Sequence, residues 1–220
     1  MNRTILFLVM GAAVMSLPSC NGMFGWIYDH PSATVDFGFI NMDKATGKGT
    51  VYIDATSYTK WTYIDFQSAT IDTTVLAADG SEEGEVLSWD LAIHRYDTKT
   101  NGGTVMETGF DGLDALAASG KLPDGEWVSD TWTDSTVMVD VSGMMDGNIV
   151  YAPSFYNAEL SKWLDVDTST MPPIYTLSGK VYILKTSDGR MAAIRLSNYM
   201  NESKVKGFMT LDYIYPLQLK

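Results

Sequence analysis

Apolar and polar residues alternate along most of the chain, and the alternation has the two-residue period of strands. Thr34 to Ile40 and Thr50 to Asp54 are such stretches, rich in β-branched and aromatic residues. Lys44 to Gly49 between them carries the turn chemistry of a hairpin. Trp61–Phe66, Trp89–Tyr96 and Thr136–Val141 continue the pattern. The C-terminal third is the clearest part. Val181–Thr186, the turn Ser187-Asp-Gly-Arg190 and Met191–Leu196 read as strand, turn and strand, and Gly207–Pro216 follows as a long strand. The expected fold is therefore all-β: a single antiparallel domain over 34–220, with at most short helices. Two helices are expected, at Asp111–Ser119 and at Asn157–Trp163 with Asn157 as its cap. Ser81–Glu85 and Gly102-Gly103 read as loops.

The first residues follow a different pattern. Arg3 is the only charge before an apolar run, Ile5–Met15, which leads into Leu17-Pro18-Ser19-Cys20. A basic start, a short apolar stretch and small residues describe a secretory signal over 1–19. The run is short for a bilayer span. Cys20 is the only cysteine of the chain and stands where a lipoprotein signal peptidase would leave it, at a new N-terminus. The competing reading is an ordinary signal peptide with a chance cysteine. An acylated Cys20 would anchor the chain through a tether, 20–33, without spanning the membrane. The expected location is a membrane surface.

The full chain carries a net charge of −12, and loss of Arg3 with the signal makes it −13. That sign argues against a nucleic-acid partner and against an electrostatic grip on anionic lipid. With Cys20 acylated no disulfide can form, so stability must come from the core.

Catalytic chemistry has little to draw on. Of the two histidines, His30 lies in the tether, and His94 lies in a strand on a face with Ala92 and Tyr96. A core or hydrogen-bonded role suits His94 better than catalysis. There is no free thiol nucleophile and no His/Cys zinc set. Asp165 and Asp167 share a face and could hold a hard cation, but a solvated strand face suits them better, since no loop with Ca²⁺-type ligand spacing is present.

The methionines are unusual. Ten lie beyond the signal. Met144-Met145 sits between Ser142-Gly143 and Asp146-Gly147, in a turn, where an apolar pair is out of character. Met171 precedes Pro172-Pro173, which stiffen the loop that holds it. Such methionines either fold back on the core as fillers or present thioethers to a soft metal or haem iron.

Trp89-Asp-Leu-Ala-Ile-His-Arg-Tyr-Asp97 followed by Thr100-Asn-Gly-Gly103 resembles a segment of the HmuY-type haem-binding lipoproteins. Ser57–Tyr63, Tyr175–Tyr182, Asp188-Gly189, Asn198-Tyr199 and Lys206–Pro216 resemble that family as well, in order, over roughly residues 50–217. The resemblance implies a hand-shaped all-β fold that grips haem between two loops or hairpins. It implies a non-enzymatic haemophore serving iron acquisition, which takes haem outside the cell, in part from host haem proteins, and passes it to an outer-membrane haem receptor. It also implies the outer membrane as the location, at the cell surface or the periplasmic face, with shedding as a further fate. Members ligate iron through two histidines or two methionines. In this chain the corresponding regions hold no histidine, so the resemblance implies Met145 and Met171 as axial ligands. Met144 is the substitute for the first, and Met138 is a further candidate. The alternative is a non-haem surface β-lipoprotein acting as an adhesin or interaction module.

Overall fold

A computed structural model describes residues 36–170 and 172–220. The segments 1–19 and 20–33, with Cys20 and His30, lie outside the described residues, as does Met171. Among the described residues the strands, in chain order, begin with β1 (Phe39–Asp43), β2 (Lys48–Asp54), β3 (Lys60–Asp65), β4 (Thr70–Leu76), β5 (Glu82–Glu83) and β6 (Leu91–His94). Next come β7 (Asp97–Thr100), β8 (Thr104–Glu107), β9 (Val128–Ser129), β10 (Thr131–Thr133), β11 (Met138–Gly143) and β12 (Asn148–Tyr151). The last are β13 (Ser154–Tyr156), β14 (Leu164–Asp167), β15 (Ile174–Leu177), β16 (Tyr182–Lys185), β17 (Met191–Met200) and β18 (Lys206–Ile214). All pairings are antiparallel. They build a seven-stranded sheet, β1-β2-β18-β17-β16-β8-β9, and a five-stranded sheet, β5-β4-β3-β6-β7. Three two-stranded ribbons complete the set: β10–β13, β11–β12 and β14–β15.

The strand period explains how the layers stack. In β16, Tyr182 and Leu184 face the main core, while Ile183 and the adjoining Val181 face the opposite side. In β3, Ile64 faces the main core while Trp61 and Tyr63 face outward, into a second cluster. The main core thus lies between the two large sheets, where Val51, Ile53, Ile64, Leu91, Ile93 and Ile194 meet. Each such side chain contributes about 1.5–3 kcal/mol when fully buried. Among the described residues the one α-helix, α1 (Leu113–Ser119), covers the outer face of the seven-stranded sheet with Leu116 and stops at Gly120, whose φ of 62° is the left-handed C-terminal cap.

Several expected elements shift. The first hairpin is shorter at its start, because β1 begins at Phe39, and its register pairs Asp43 with Lys48. The second expected helix is a 3-10 turn over Leu160–Trp163, in which Asn157 Oδ1 accepts from Leu160 N–H at 2.9 Å. Glu82–Glu83, expected as loop, adds an edge to β4. The stretch Trp89–Tyr96 holds only the four-residue strand β6. His94 is the last residue of that strand, and Tyr96 lies in the turn to β7. His94 is buried, as its core reading requires.

Candidate functional site

The ribbon β11–β12 is rooted by alternation. Val137 and Val139 are buried against the outward face of the five-stranded sheet, with Trp61, Tyr63 and Ala92. Ala152 N–H donates to the Val137 carbonyl at 2.8 Å and ties the other end. Met138, between the two valines, points the opposite way, into a cleft. At the tip, Gly143 leads into a 3-10 turn over Met144–Asp146. Gly147, at φ 76°, closes the turn by donating to the Met144 carbonyl at 3.0 Å. A side chain other than Gly, Asn or Asp is strained there. The turn holds the methionine pair away from the core: Met144 is 43% and Met145 86% exposed. Core filling is therefore not the role of Met145.

The ribbon β14–β15 is rooted by Leu164, buried in the main core, with Val166, Tyr175 and Leu177 packed on it. Ser178 N–H donates to the Trp163 carbonyl at 2.9 Å, closing its base. In its turn Asp167 accepts from Ser169 N–H at 2.8 Å, and the Thr170 hydroxyl donates to the Pro172 carbonyl at 3.2 Å. Met171 belongs to this turn in sequence and lies outside the described residues.

The two ribbons wall one cleft of about 930 Å³, within the range of small-molecule and cofactor sites. Met138, Met144 and Met145 line it from the first ribbon, and Thr168 and Pro173, which bracket Met171 in sequence, from the second. Tyr58, Tyr96, Tyr151, Tyr156 and Tyr175 add an aromatic lining. Burial pushes the Tyr96 and Tyr156 phenols up, so they stay protonated and neutral. Burial also raises the Asp97 carboxyl, while His94 opposes the shift. His94 donates from Nε2 to the Tyr58 carbonyl at 2.8 Å, and its buried Nδ1 stands 3.7 Å from Asp97. That arrangement holds the imidazole in place behind the cleft. Asp165 reaches the cleft edge and Asp167 is exposed. Among the described residues no group of three acidic, His or Cys side chains is placed to hold a metal.

The donor set suits haem. Neutral, soft thioethers are ligands for haem iron, and neutral aromatic walls suit an apolar macrocycle. No spacing in the sequence marks the tyrosines as site residues. Tyr96 and Tyr175 lie in the segments that carried the resemblance, but only the tertiary fold brings them together with Met145.

The HmuY protein family model matches residues 57–213. The chain belongs to the HmuY family. A crystal structure of a candidate lipoprotein from Bacteroides fragilis is 55% identical to this HmuY-family chain, with a TM-score of 0.79, over 84% of this chain and 98% of that one. A candidate HmuY-like haem-binding protein from Bacteroides vulgatus is 56% identical, with a TM-score of 0.77, over 84% and 100%. The apo HmuY analogue of Tannerella forsythia shares the fold at 24% identity, with a TM-score of 0.64 over 79% and 97%. No curated protein matches the chain.

Proposed function

We propose that this HmuY-family protein is a haem-binding lipoprotein with bis-methionine axial ligation by Met145 and Met171. It takes haem outside the cell and hands it to an outer-membrane uptake receptor. The observation that carries the reading is Met145: a methionine 86% exposed at the tip of a ribbon, on a cleft whose other wall carries Thr168 and Pro173, which bracket Met171 in sequence. The Bacteroides vulgatus relative, described as HmuY-like and haem-binding, supports it. Bound haem would supply the iron. The chain would supply two neutral donors and a cleft walled largely by tyrosines. Anchoring by an acylated Cys20 agrees with the lipoprotein description of the Bacteroides fragilis relative.

The test is a visible titration of the soluble domain with haemin, with and without dithionite. Met145→Ala and Met171→Ala should each weaken binding and move the Soret band while leaving the far-UV spectrum unchanged. An effect confined to Met144→Ala would move the first ligand by one residue, and unchanged spectra in all three variants would reject thioether ligation.

A second reading, an interaction module without haem, has one observation behind it. Trp132 and Phe155 on ribbon β10–β13 are 63% and 52% exposed and stack edge-to-face with centroids 5.1 Å apart. A chain that leaves the haemin spectrum unperturbed would favour that reading.

A further inference from the structure

The cleft must take more than an apolar macrocycle. On the haem reading its ligand carries two propionate carboxylates into a protein of net charge −12. Two acidic side chains, Asp97 and Asp165, already line the cleft. Anions entering such a field need local cations. Among the described lining residues the cations are Arg95 and Lys162.

Arg95 occupies a position that arginine rarely takes. It is the first residue of the two-residue turn between β6 and β7, with φ at 53°. Hairpin turns usually give that conformation to Gly, Asn or Asp. The backbone at Arg95 is thus strained. Gly207, at φ 101°, runs close beside Arg95: a Cβ there would stand 2.8 Å from Arg95 Nη1 and 3.0 Å from the Ala55 carbonyl oxygen. The guanidinium lies 4.3 Å from the centroid of the Tyr58 ring and 5.1 Å from that of Tyr96. Nη1 donates to the carbonyls of Ala55 (3.2 Å) and Thr56 (2.7 Å), and Nη2 donates to the Tyr96 hydroxyl at 3.3 Å. All these partners are neutral, and Arg95 Nε is buried without one. Arg95 therefore keeps its charge and part of its donor capacity at the cleft. Lys162 sits in the turn that precedes β14, exposed, and its described partner is Glu159 at 2.6 Å.

We propose that Arg95 and Lys162 form the carboxylate-binding end of the cleft, taking the propionates of the porphyrin and setting which edge of the macrocycle enters. This rests on the haem reading. Charge-assisted hydrogen bonds of this kind give roughly 10- to 100-fold in affinity.

The test compares haemin with its dimethyl ester, which keeps the iron and the ring but removes both carboxylate charges. Wild type should favour haemin by at least about tenfold. Arg95→Gln and Lys162→Gln should each shrink that ratio, and Arg95→Lys should restore part of it. A purely structural peg at Arg95 would weaken both ligands alike and leave the ratio unmoved, which overturns the proposal for Arg95. Equal wild-type affinity for the two ligands overturns it entirely while the haem reading stands. Binding of neither ligand removes the haem reading and this one with it. If Arg95→Gln does not fold, the wild-type ratio and the exposed Lys162→Gln variant still decide.

Discussion

The indole Nε1–H of Trp163 donates to the carbonyl of Tyr96 at 2.9 Å. Trp163 immediately precedes β14 and is buried, and Tyr96 lies in the turn that lines the cleft. One bond therefore ties the root of the second ribbon to a wall of the site. Trp163→Phe keeps most of the ring but leaves that carbonyl without its partner. It should cost about 1–3 kcal/mol of stability and also weaken haem binding, because the second wall loses its fixed position. Urea unfolding and a haemin titration of the same variant check both. A stability loss with unaltered binding would uncouple the bond from the site.

Exposure makes Met145 the most accessible described methionine of the cleft. Mild peroxide should convert it to the sulfoxide, which is polar and changes the donor atom. Haem binding should fall as oxidation proceeds, and bound haem should protect Met145 and Met171. Peptide mass mapping with and without haem reads the outcome directly, and equal oxidation in both conditions would count against ligation.

Behind the first ribbon lies a partly buried ion pair. Lys99 Nζ stands 2.5 Å from Glu82, over the ring of Trp61 at 4.2 Å. Tyr63 and Thr74 hydroxyls donate to the same carboxylate. Burial alone would raise the Glu82 carboxyl, but these donors, led by Lys99, hold it below its ordinary value. A depressed carboxylate contributes stability that is present above its unfolded pKa of about 4.3 and is lost as pH falls through the folded value. Glu82→Gln should cost about 1–3 kcal/mol at pH 7, less than a fully buried pair would, since Glu82 is partly exposed. The gap between wild type and variant should narrow from pH 5 downward, as measured by urea midpoints. A gap independent of pH would remove Glu82 ionisation as its cause.

A thioether has no proton to gain in the ordinary pH range, whereas the free imidazole of a histidine ligand takes up a proton at about pH 6.5 and so competes with iron on acidification. Haem binding should therefore change little between about pH 7.5 and 5.5. It should tighten on reduction, because neutral sulfur prefers ferrous iron. Titrations at both pH values and in both redox states, with folding checked, test this. Equal or tighter ferric binding, or a steep loss on acidification, would sink bis-methionine ligation even if haem binds.

Cys20→Ala should leave the β domain folded and abolish acylation and membrane retention. Fractionation of cells that express the variant decides, and continued partition with membranes would refute the anchor.

What the chain reveals by itself is local and periodic. Val181–Leu196 could be read because its side chains alternate between two buried faces and Ser187-Asp-Gly-Arg190 marks the reversal. The methionine turn could be read because glycines flank an apolar pair. Short partners such as β5, β9 and β13 could not, since two or three residues carry no period and become strands only through the neighbour that pairs with them. The cleft was equally beyond reach. Its tyrosines and its two cations are scattered from Tyr58 to Tyr175, and no spacing rule connects them. They meet because Val137 and Val139 root one ribbon on the five-stranded sheet while Leu164 roots the other in the main core. Composition and period determined that this chain is a β protein with a methionine pair in a glycine-flanked turn; the folded turn decided that Met145 is exposed. Packing of two ribbons on two different faces decided that Met145 and Arg95 line the same cleft.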